Sequence, residues 1–560
     1  TIEVNISQGV NFFLVGLPDA AVKESQQRIK AALNNNGLKY PAGRELTINM
    51  APADLRKEGA TFDLPIALGI LAGSDQLNYE ELKRYMIVGE LSLDGTVKPM
   101  KGILSIALQA KAEGFKGIIL PKDHAQEAAM VEGLDVIPVG TIREAIDFLD
   151  GNREISPTQR KLPKQSIEEL ASIDFSDVKG QENCKRAFEI AAAGGHNVVL
   201  IGPPGSGKSM LAKRLPTILP PMTMDEALET TKIHSVVGKL GKNVGLVENR
   251  PFRKPHHTIS DVALVGGGGY PQPGEISLAH NGVLFLDELP EYKRQVLEVM
   301  RQPMEDQMVT ISRARFSIDF PSNFVLIAAM NPCPCGYYNH PERECTCPSG
   351  TVERYLNKVS GPLLDRIDLH IEVTPVSYKE LSDERSGEPS KTIRKRVNDA
   401  RALQRKRFQE EVKERELVTF QGVGESNSSK PNRNKSTLKT WGKAAQDVVE
   451  LDAALSPNII SGLNSEKPEQ ISLTQSNTPL ISCNADMTSK QIRKYCKLDE
   501  TSADILKRAM DKFGFSARAY DRILKVARTI ADLDGAKDIG KRHIAEAVQY
   551  RSLDRDSWGG

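Results

Sequence analysis

The octapeptide Gly202-Pro203-Pro204-Gly205-Ser206-Gly207-Lys208-Ser209 constrains the fold of this chain more than any other stretch. It satisfies G-x-x-x-x-G-K-[ST] at every specified position, a spacing that lets glycine-rich backbone curl until successive N–H groups face phosphate oxygens. Residues 197–201 ahead of it are a short apolar run of strand type, and 210–215 behind it read as the first turns of a helix. A strand, a phosphate-cradling turn and a helix N-terminus in that order belong to an α/β architecture. In such a loop Lys208 is expected to reach the β- and γ-phosphates of ATP, and the Ser209 hydroxyl to ligate Mg²⁺.

Two later runs have the chemistry to complete a hydrolytic site. Gly282-Val283-Leu284-Phe285-Leu286-Asp287-Glu288 carries an apolar strand into two acids, which predicts Asp287 beside Mg²⁺ and Glu288 beside the attacking water. Residues 324–331 form another apolar strand, ending in Asn331. An amide there can orient the water against the γ-phosphate, although Asn also suits a plain turn at a strand end.

The rest of the chain supplies several domains. Its 560 residues exceed one hydrophobic core, and that length suggests about three or four domains. Residues 1–150 show strands at 47–50, 84–88 and 117–121 and helices at 20–34, 64–71 and 102–112, an α/β unit. A polar linker is expected at 151–172, and strands alternate with helices from 173 to 376 around the phosphate loop. Charged helical segments at 377–410 and 482–560 bracket residues 411–481, which are dense in Ser, Asn, Gln, Lys and Pro. That stretch lacks the apolar surface to offset ordering entropy and is expected to be disordered, with one isolated helix suggested at 444–455. The net charge of +1 excludes a globally basic nucleic-acid binder, so any such contact must come from local patches. No apolar run approaches the ~18 residues of a membrane span. Four of the seven cysteines fall between 333 and 347, a pattern expected of a reducing, cytoplasmic setting. The start at Thr1 leaves open a preceding leader or first strand.

Taken in order, residues 202–209, Arg250-Pro251-Phe252-Arg253-Lys254-Pro255-His256-His257, Asp287-Glu288, Asn331-Pro332 and Gly361-Pro362-Leu363-Leu364-Asp365-Arg366-Ile367-Asp368 resemble the magnesium-chelatase-like AAA+ ATPases. Residues 15–22 and 51–59 match the same proteins, most closely their competence-associated bacterial members, and only about 411–481 departs. The resemblance implies an α/β multidomain fold. Its parts are an N-terminal α+β domain of the Lon-protease-like, ribosomal S5 type, an AAA+ core with an insert in its second helix, and a C-terminal helical lid. It implies a homo-hexameric ring with ATP between subunits. Arg366 would be the finger offered to the neighbour's γ-phosphate, and Arg518 the second sensor arginine, with Arg522 one turn later as the competing choice. The insert at about 236–280 would be a β-hairpin entering the pore, tipped by glycines 266–269. Arg250, Arg253, Lys254, His256 and His257, with Arg313 and Arg315 of a second hairpin at 308–320, would then track a DNA backbone. The same charge could instead merely solvate these loops.

The implied activity is ATP-driven branch migration of DNA recombination intermediates in natural transformation, on branched or single-stranded DNA, with a recombinase as a further partner. Two alternatives stay open. One is the motor subunit of a metal chelatase, against which stands the lack of an integrin-type metal-binding domain. The other is a protein-remodelling ATPase, for which Tyr270 is the nearest pore aromatic.

Cys333-Pro334-Cys335 and Cys345-Thr346-Cys347 place four thiols in one short segment. Four thiolates at ~2.3 Å around Zn²⁺ make a closed structural site; free or redox-active thiols are the rival reading, and His340 between the pairs is a bystander. The protease likeness of the first domain carries no expectation of peptidase activity. Thr61 stands where the nucleophilic serine belongs and Leu104 where the base lysine belongs, and leucine cannot accept a proton.

Overall fold

A computed structural model describes residues 1–551 other than 54–56, 58, 162–172, 242–243, 270, 314–316, 339, 341, 377–381, 383–386, 423–469 and 473–482. The helix suggested at 444–455, together with Tyr270 and Arg315, therefore lies outside the described residues. Of the 411–481 stretch, the described parts are the end of a long helix, Ser390–Gly422, and the short strand Gln470–Ser472.

The described residues of the first domain form two three-stranded sheets and one two-stranded pair, Glu90–Leu91 antiparallel to Val97–Lys98. Arg44–Met50 is the centre of one, antiparallel to Ile2–Gln8 and parallel to Phe12–Val15. Its buried residues Leu46, Ile48 and Met50 alternate along the strand and meet the helices Ser25–Asn35 and Asp63–Gly73. The helix expected at 20–34 is two pieces, Ala20–Lys23, capped by Asp19, and Ser25–Asn35, parted at Glu24. The second sheet is wholly parallel and joins Tyr85–Ile87, Gly117–Pro121 and Asp135–Val139. Leu104 is fully buried on the helix Ile103–Ala112, and its N–H donates to Glu127 at 2.9 Å. Glu127 also accepts from Ser235 of the following domain, and Gly102 N–H donates to the Ser235 carbonyl at 3.2 Å, so the two domains share polar contacts.

The second domain is built on five parallel strands in the order Phe252–Arg253, Gly282–Leu286, Phe324–Met330, Val198–Ile201, Leu369–Glu372. The inner strands are apolar throughout because a parallel sheet is covered on both faces. Alternation divides their side chains between two cores. Val198, Leu200, Val283, Phe285, Ile327 and Ala329 face the helices Glu182–Gly194 and Lys208–Ile218 and, beyond them, the C-terminal helices. Val199, Ile201, Leu284, Leu286, Leu326 and Ala328 pack on Ile276, Val296, Met300, Val309 and Leu363.

The C-terminal helices Ser489–Tyr495, Glu500–Phe513, Ala517–Leu533 and Lys541–Gln549 join Ser390–Gly422 in the first of these cores. A buried ion pair also ties them to the sheet. Arg522 meets Asp368, whose other oxygen accepts from His196 Nδ1 at 3.2 Å, and Asp532 gathers Arg407, Arg528 and Asn484. Among the described residues, no helix is long and apolar enough to cross a membrane.

Candidate nucleotide-hydrolysis site

In a parallel sheet every strand ends at the same edge, and ligands bind outside those carboxyl ends. The register aligns Met330 with Ile201 and Leu286 with Ala328. Gly202, Asn331 and Asp287, each the next residue along its own strand, therefore emerge beside one another. The phosphate loop turns there into the helix Lys208–Ile218.

Lys208 Nζ donates to the carbonyls of Gly202 at 2.6 Å and Pro203 at 2.9 Å and to Asn331 Oδ1 at 3.1 Å. Burial, only partly offset by the charge of Asp287, pushes its ammonium down to about 8. Ser209 Oγ donates to Asp287 Oδ2 at 2.8 Å. Burial tends to raise the Asp287 carboxyl, but hydrogen bonds from Lys254 and Ser209 outweigh it and hold the group below its ordinary value. An ionised carboxylate oxygen and a hydroxyl oxygen this close are hard donors suited to Mg²⁺. With the phosphate loop at a helix N-terminus, the residues present fit a magnesium nucleotide.

Glu288 is exposed and has left-handed backbone, φ +55°. A non-glycine residue holds that conformation only where its surroundings impose it. Its carboxylate Oε2 lies 3.1 Å from His257 Nδ1.

The basic cluster assigned from the sequence to a pore hairpin sits elsewhere. In the described part of 236–280, antiparallel pairing is confined to Gly266–Gly267 with Gln272–Pro273. The stretch from Arg250 runs along the core sheet instead, because Phe252 stacks on Phe285 at 6.0 Å and Gly282 lets the Pro251 backbone close in. Arg250 is half-buried, donating to the Asn281 carbonyl at 2.7 Å and pairing with Glu226 at 3.0 Å; Arg253 grips Glu275 with bonds of 2.6 and 2.8 Å. Lys254 reaches Asp287 at 2.9 Å, and His256 is exposed and bonds Thr258. Arg313 is exposed at the end of the hairpin formed by Met308–Ser312 and Ser317–Pro321, near the Gly268 carbonyl.

The three arginine candidates are not at the phosphate loop of their own chain. Arg366 is buried, pairs with Glu305 at 2.6 Å and donates to the Pro362 carbonyl at 2.7 Å. Arg522 is committed to Asp368, which precedes the strand Leu369–Glu372 and so lies at the opposite edge of the sheet. Arg518 is exposed in the turn before it. One residue was missed from the sequence. Gln181, in left-handed backbone, donates to the Ser206 carbonyl at 2.8 Å and the Thr374 carbonyl at 3.1 Å, bracing the loop. The Gly180-Gln181 step just before an apolar helix was the available signal.

The four cysteines converge. Cys333, Cys335, Cys345 and Cys347 keep their Sγ atoms within 4.8 Å of one another, as free thiols. Ligands on a tetrahedral Zn²⁺ at ~2.3 Å would be about 3.8 Å apart, and the closest sulfur pairs are 3.3, 3.5 and 3.7 Å. The set fits zinc. This knuckle also leans on the phosphate loop, since a Cβ on Gly336 would come within 2.5 Å of Pro204.

Known proteins resemble this arrangement over nearly the entire chain. Three family models match: "Magnesium chelatase, subunit ChlI" at residues 174–381, "Subunit ChlI of Mg-chelatase" at 2–124, and "Magnesium chelatase, subunit ChlI C-terminal" at 467–551. The competence protein ComM of Haemophilus influenzae is 41% identical over 560 residues, covering 99% of this chain and 95% of its own. YifB of Escherichia coli, an uncharacterized protein, is 40% identical over 561 residues, covering 99% and 94%. Lon protease 2 of Bacillus subtilis is 28% identical over 148 residues, 26% of each chain. The chain belongs to the magnesium-chelatase-like family of AAA+ ATPases, in company with ComM.

Proposed function

We propose that this protein is an ATP-hydrolysing ring motor that acts on DNA, driving branch migration of recombination intermediates. The observation that supports hydrolysis is the meeting of Lys208, Ser209, Asp287 and Asn331 at one sheet edge, with Glu288 beside them. Lys208 carries positive charge to the β- and γ-phosphates, Asn331 orients the water, and Glu288 takes its proton as the water attacks. Mg²⁺ held by Ser209 and Asp287 would neutralise charge on the phosphate oxygens. Arg366, supplied by a neighbouring subunit of a hexamer, would complete the site with a planar, permanently charged donor. A structural Zn²⁺ on the four cysteines would stiffen the loop between Asn331 and Arg366. For DNA, the support is the likeness to ComM, a competence protein, and the exposed basic side chains of His256 and Arg313.

The test is ATP turnover by the full chain with and without forked DNA, with Lys208→Ala as blank. Stimulation by the fork and salt-sensitive retention on it are expected. Turnover indifferent to DNA, with no retention at low salt, would end the DNA assignment. The chelatase description of the matching family models favours one rival, a motor for metal insertion. That rival predicts turnover unaffected by any DNA.

A further inference from the structure

Three anchors hold residues 252–255 beside the acidic pair. Phe252 and Arg253 pair in parallel register with Val283 and Leu284. Arg253 is fixed by its two hydrogen bonds to Glu275. From a buried position, Tyr292 Oη donates to the Pro255 carbonyl at 2.7 Å. Between and just beyond these anchors stand the two side chains that face the acids. Lys254 Nζ lies 2.9 Å from Asp287 Oδ2 and 5.1 Å from the centre of the Phe285 ring. His257 Nδ1 lies 3.1 Å from Glu288 Oε2, with the His256 ring tilted beside it, centres 4.2 Å apart.

We infer that Lys254 and His257 are positioning residues of the hydrolytic site, a clamp on the acidic pair rather than contacts for nucleic acid. The inference rests on the ATP-hydrolysis reading above, since a clamp on Glu288 matters only if Glu288 handles water. A glutamate that is 59% exposed has many rotamers open to it, and the His257 N–H selects one. The strained backbone of Glu288 sets where the side chain starts, and His257 sets where it ends. Lys254 does a different job. Its ammonium and the Ser209 hydroxyl converge on one oxygen, Asp287 Oδ2, whose lone pairs they share. A divalent cation held by Ser209 and Asp287 would compete with Lys254 for the Asp287 carboxylate. A cation neutralised by an acid 3 Å away also offers little net charge to a phosphodiester, which is why this cluster is a poor DNA surface.

The experiment uses the full chain carrying His257→Ala, His257→Gln or Lys254→Met, with Glu288→Gln as the reference for lost water activation. Three quantities are read for each: kcat and KM for ATP, binding of a fluorescent ATP analogue across a Mg²⁺ titration, and retention on forked DNA at low salt. His257→Ala is expected to lower kcat at least tenfold while KM, analogue affinity and DNA retention stay within twofold. His257→Gln, which keeps a donor, recovers much of that loss, whereas a role in packing alone would not be rescued. Lys254→Met is expected to bind the analogue at a lower Mg²⁺ concentration than the wild type. Wild-type kcat in His257→Ala, with weakened retention on DNA, would overturn the clamp and return the cluster to a DNA surface. An unshifted Mg²⁺ titration in Lys254→Met would overturn the part assigned to Lys254. Failure of the hydrolysis reading looks different: the wild type would then turn over ATP no faster than Lys208→Ala.

Discussion

Arg366 and Glu305 form a half-hidden ion pair: the arginine side chain is 7% exposed, and its Nη2 lies 2.6 Å from Glu305 Oε1. An arginine held this way serves a neighbour only by exchanging one anion for another, the Glu305 carboxylate for a phosphate. In the proposed ring, Arg366→Ala is expected to lower turnover by about 10³-fold while leaving ATP affinity intact. Mixing it with Lys208→Ala protein should restore activity, because each variant supplies the half that the other lacks. Mixtures no more active than either variant alone would show that Arg366 does not act between subunits.

Asp368 is the pin between sheet and C-terminal helices. Burial works to raise its carboxyl, but Arg522 and His196 outweigh burial and hold it far below the ordinary carboxylate range. Asp368→Asn leaves Arg522 facing the interior unpaired, a cost of about 3–5 kcal/mol, which should appear as a fall in Tm on the order of 10 °C. The sign with pH follows from the depressed folded value. Stabilisation is fully present above the unfolded carboxylate value of about 3.9 and is lost as pH falls below it. Melting curves of wild type and variant should therefore be far apart at pH 7 and converge below about pH 4.

Gly282 sits under Pro251, where an added Cβ would lie 2.1 Å from the Pro251 carbonyl oxygen. Gly282→Ala must push the Phe252–Arg253 strand outward, at a cost of about 1–3 kcal/mol. Lys254 and His257 follow that strand directly, so turnover should fall along with Tm even though residue 282 touches no nucleotide. A Tm loss with unchanged kcat would show that the strand and the acidic pair are not coupled.

The cysteine knuckle should carry about one Zn²⁺ per chain, released when the thiols are blocked and measured with a chromogenic chelator. Cys335→Ser or Cys345→Ser should abolish that release and lower Tm. Because Gly336 abuts Pro204 and Asn331 bonds Lys208, turnover should drop as well. Metal-free protein with wild-type Tm would leave the thiols without a metal role.

The helices and strands of the sheet were legible because their patterns are local. Residues 324–330 or 282–286 read as strands from a handful of consecutive apolar side chains, and both are strands. Gln181 and the residues around Arg250 were harder, since a polar residue reveals its partner only when the partner's position is known. The single helix expected at 20–34 illustrates the same limit at short range: apolar spacing continues across Glu24, yet the helix is parted there into Ala20–Lys23 and Ser25–Asn35.

Residues adjacent in the chain thus settled the phosphate loop, the acids at a strand end and the cysteine pairs, since each depends on spacing within one turn or one strand. Tertiary structure alone decided which acids the basic side chains meet. Arg250, Arg253, Lys254 and His257 look like a nucleic-acid patch in one dimension. Parallel pairing of Phe252–Arg253 beside Gly282–Leu286 turns them toward Glu226, Glu275, Asp287 and Glu288 instead. A charge is read from sequence, but its partner is set by contacts between distant segments, and in a low-dielectric fold the partner determines whether that charge remains available.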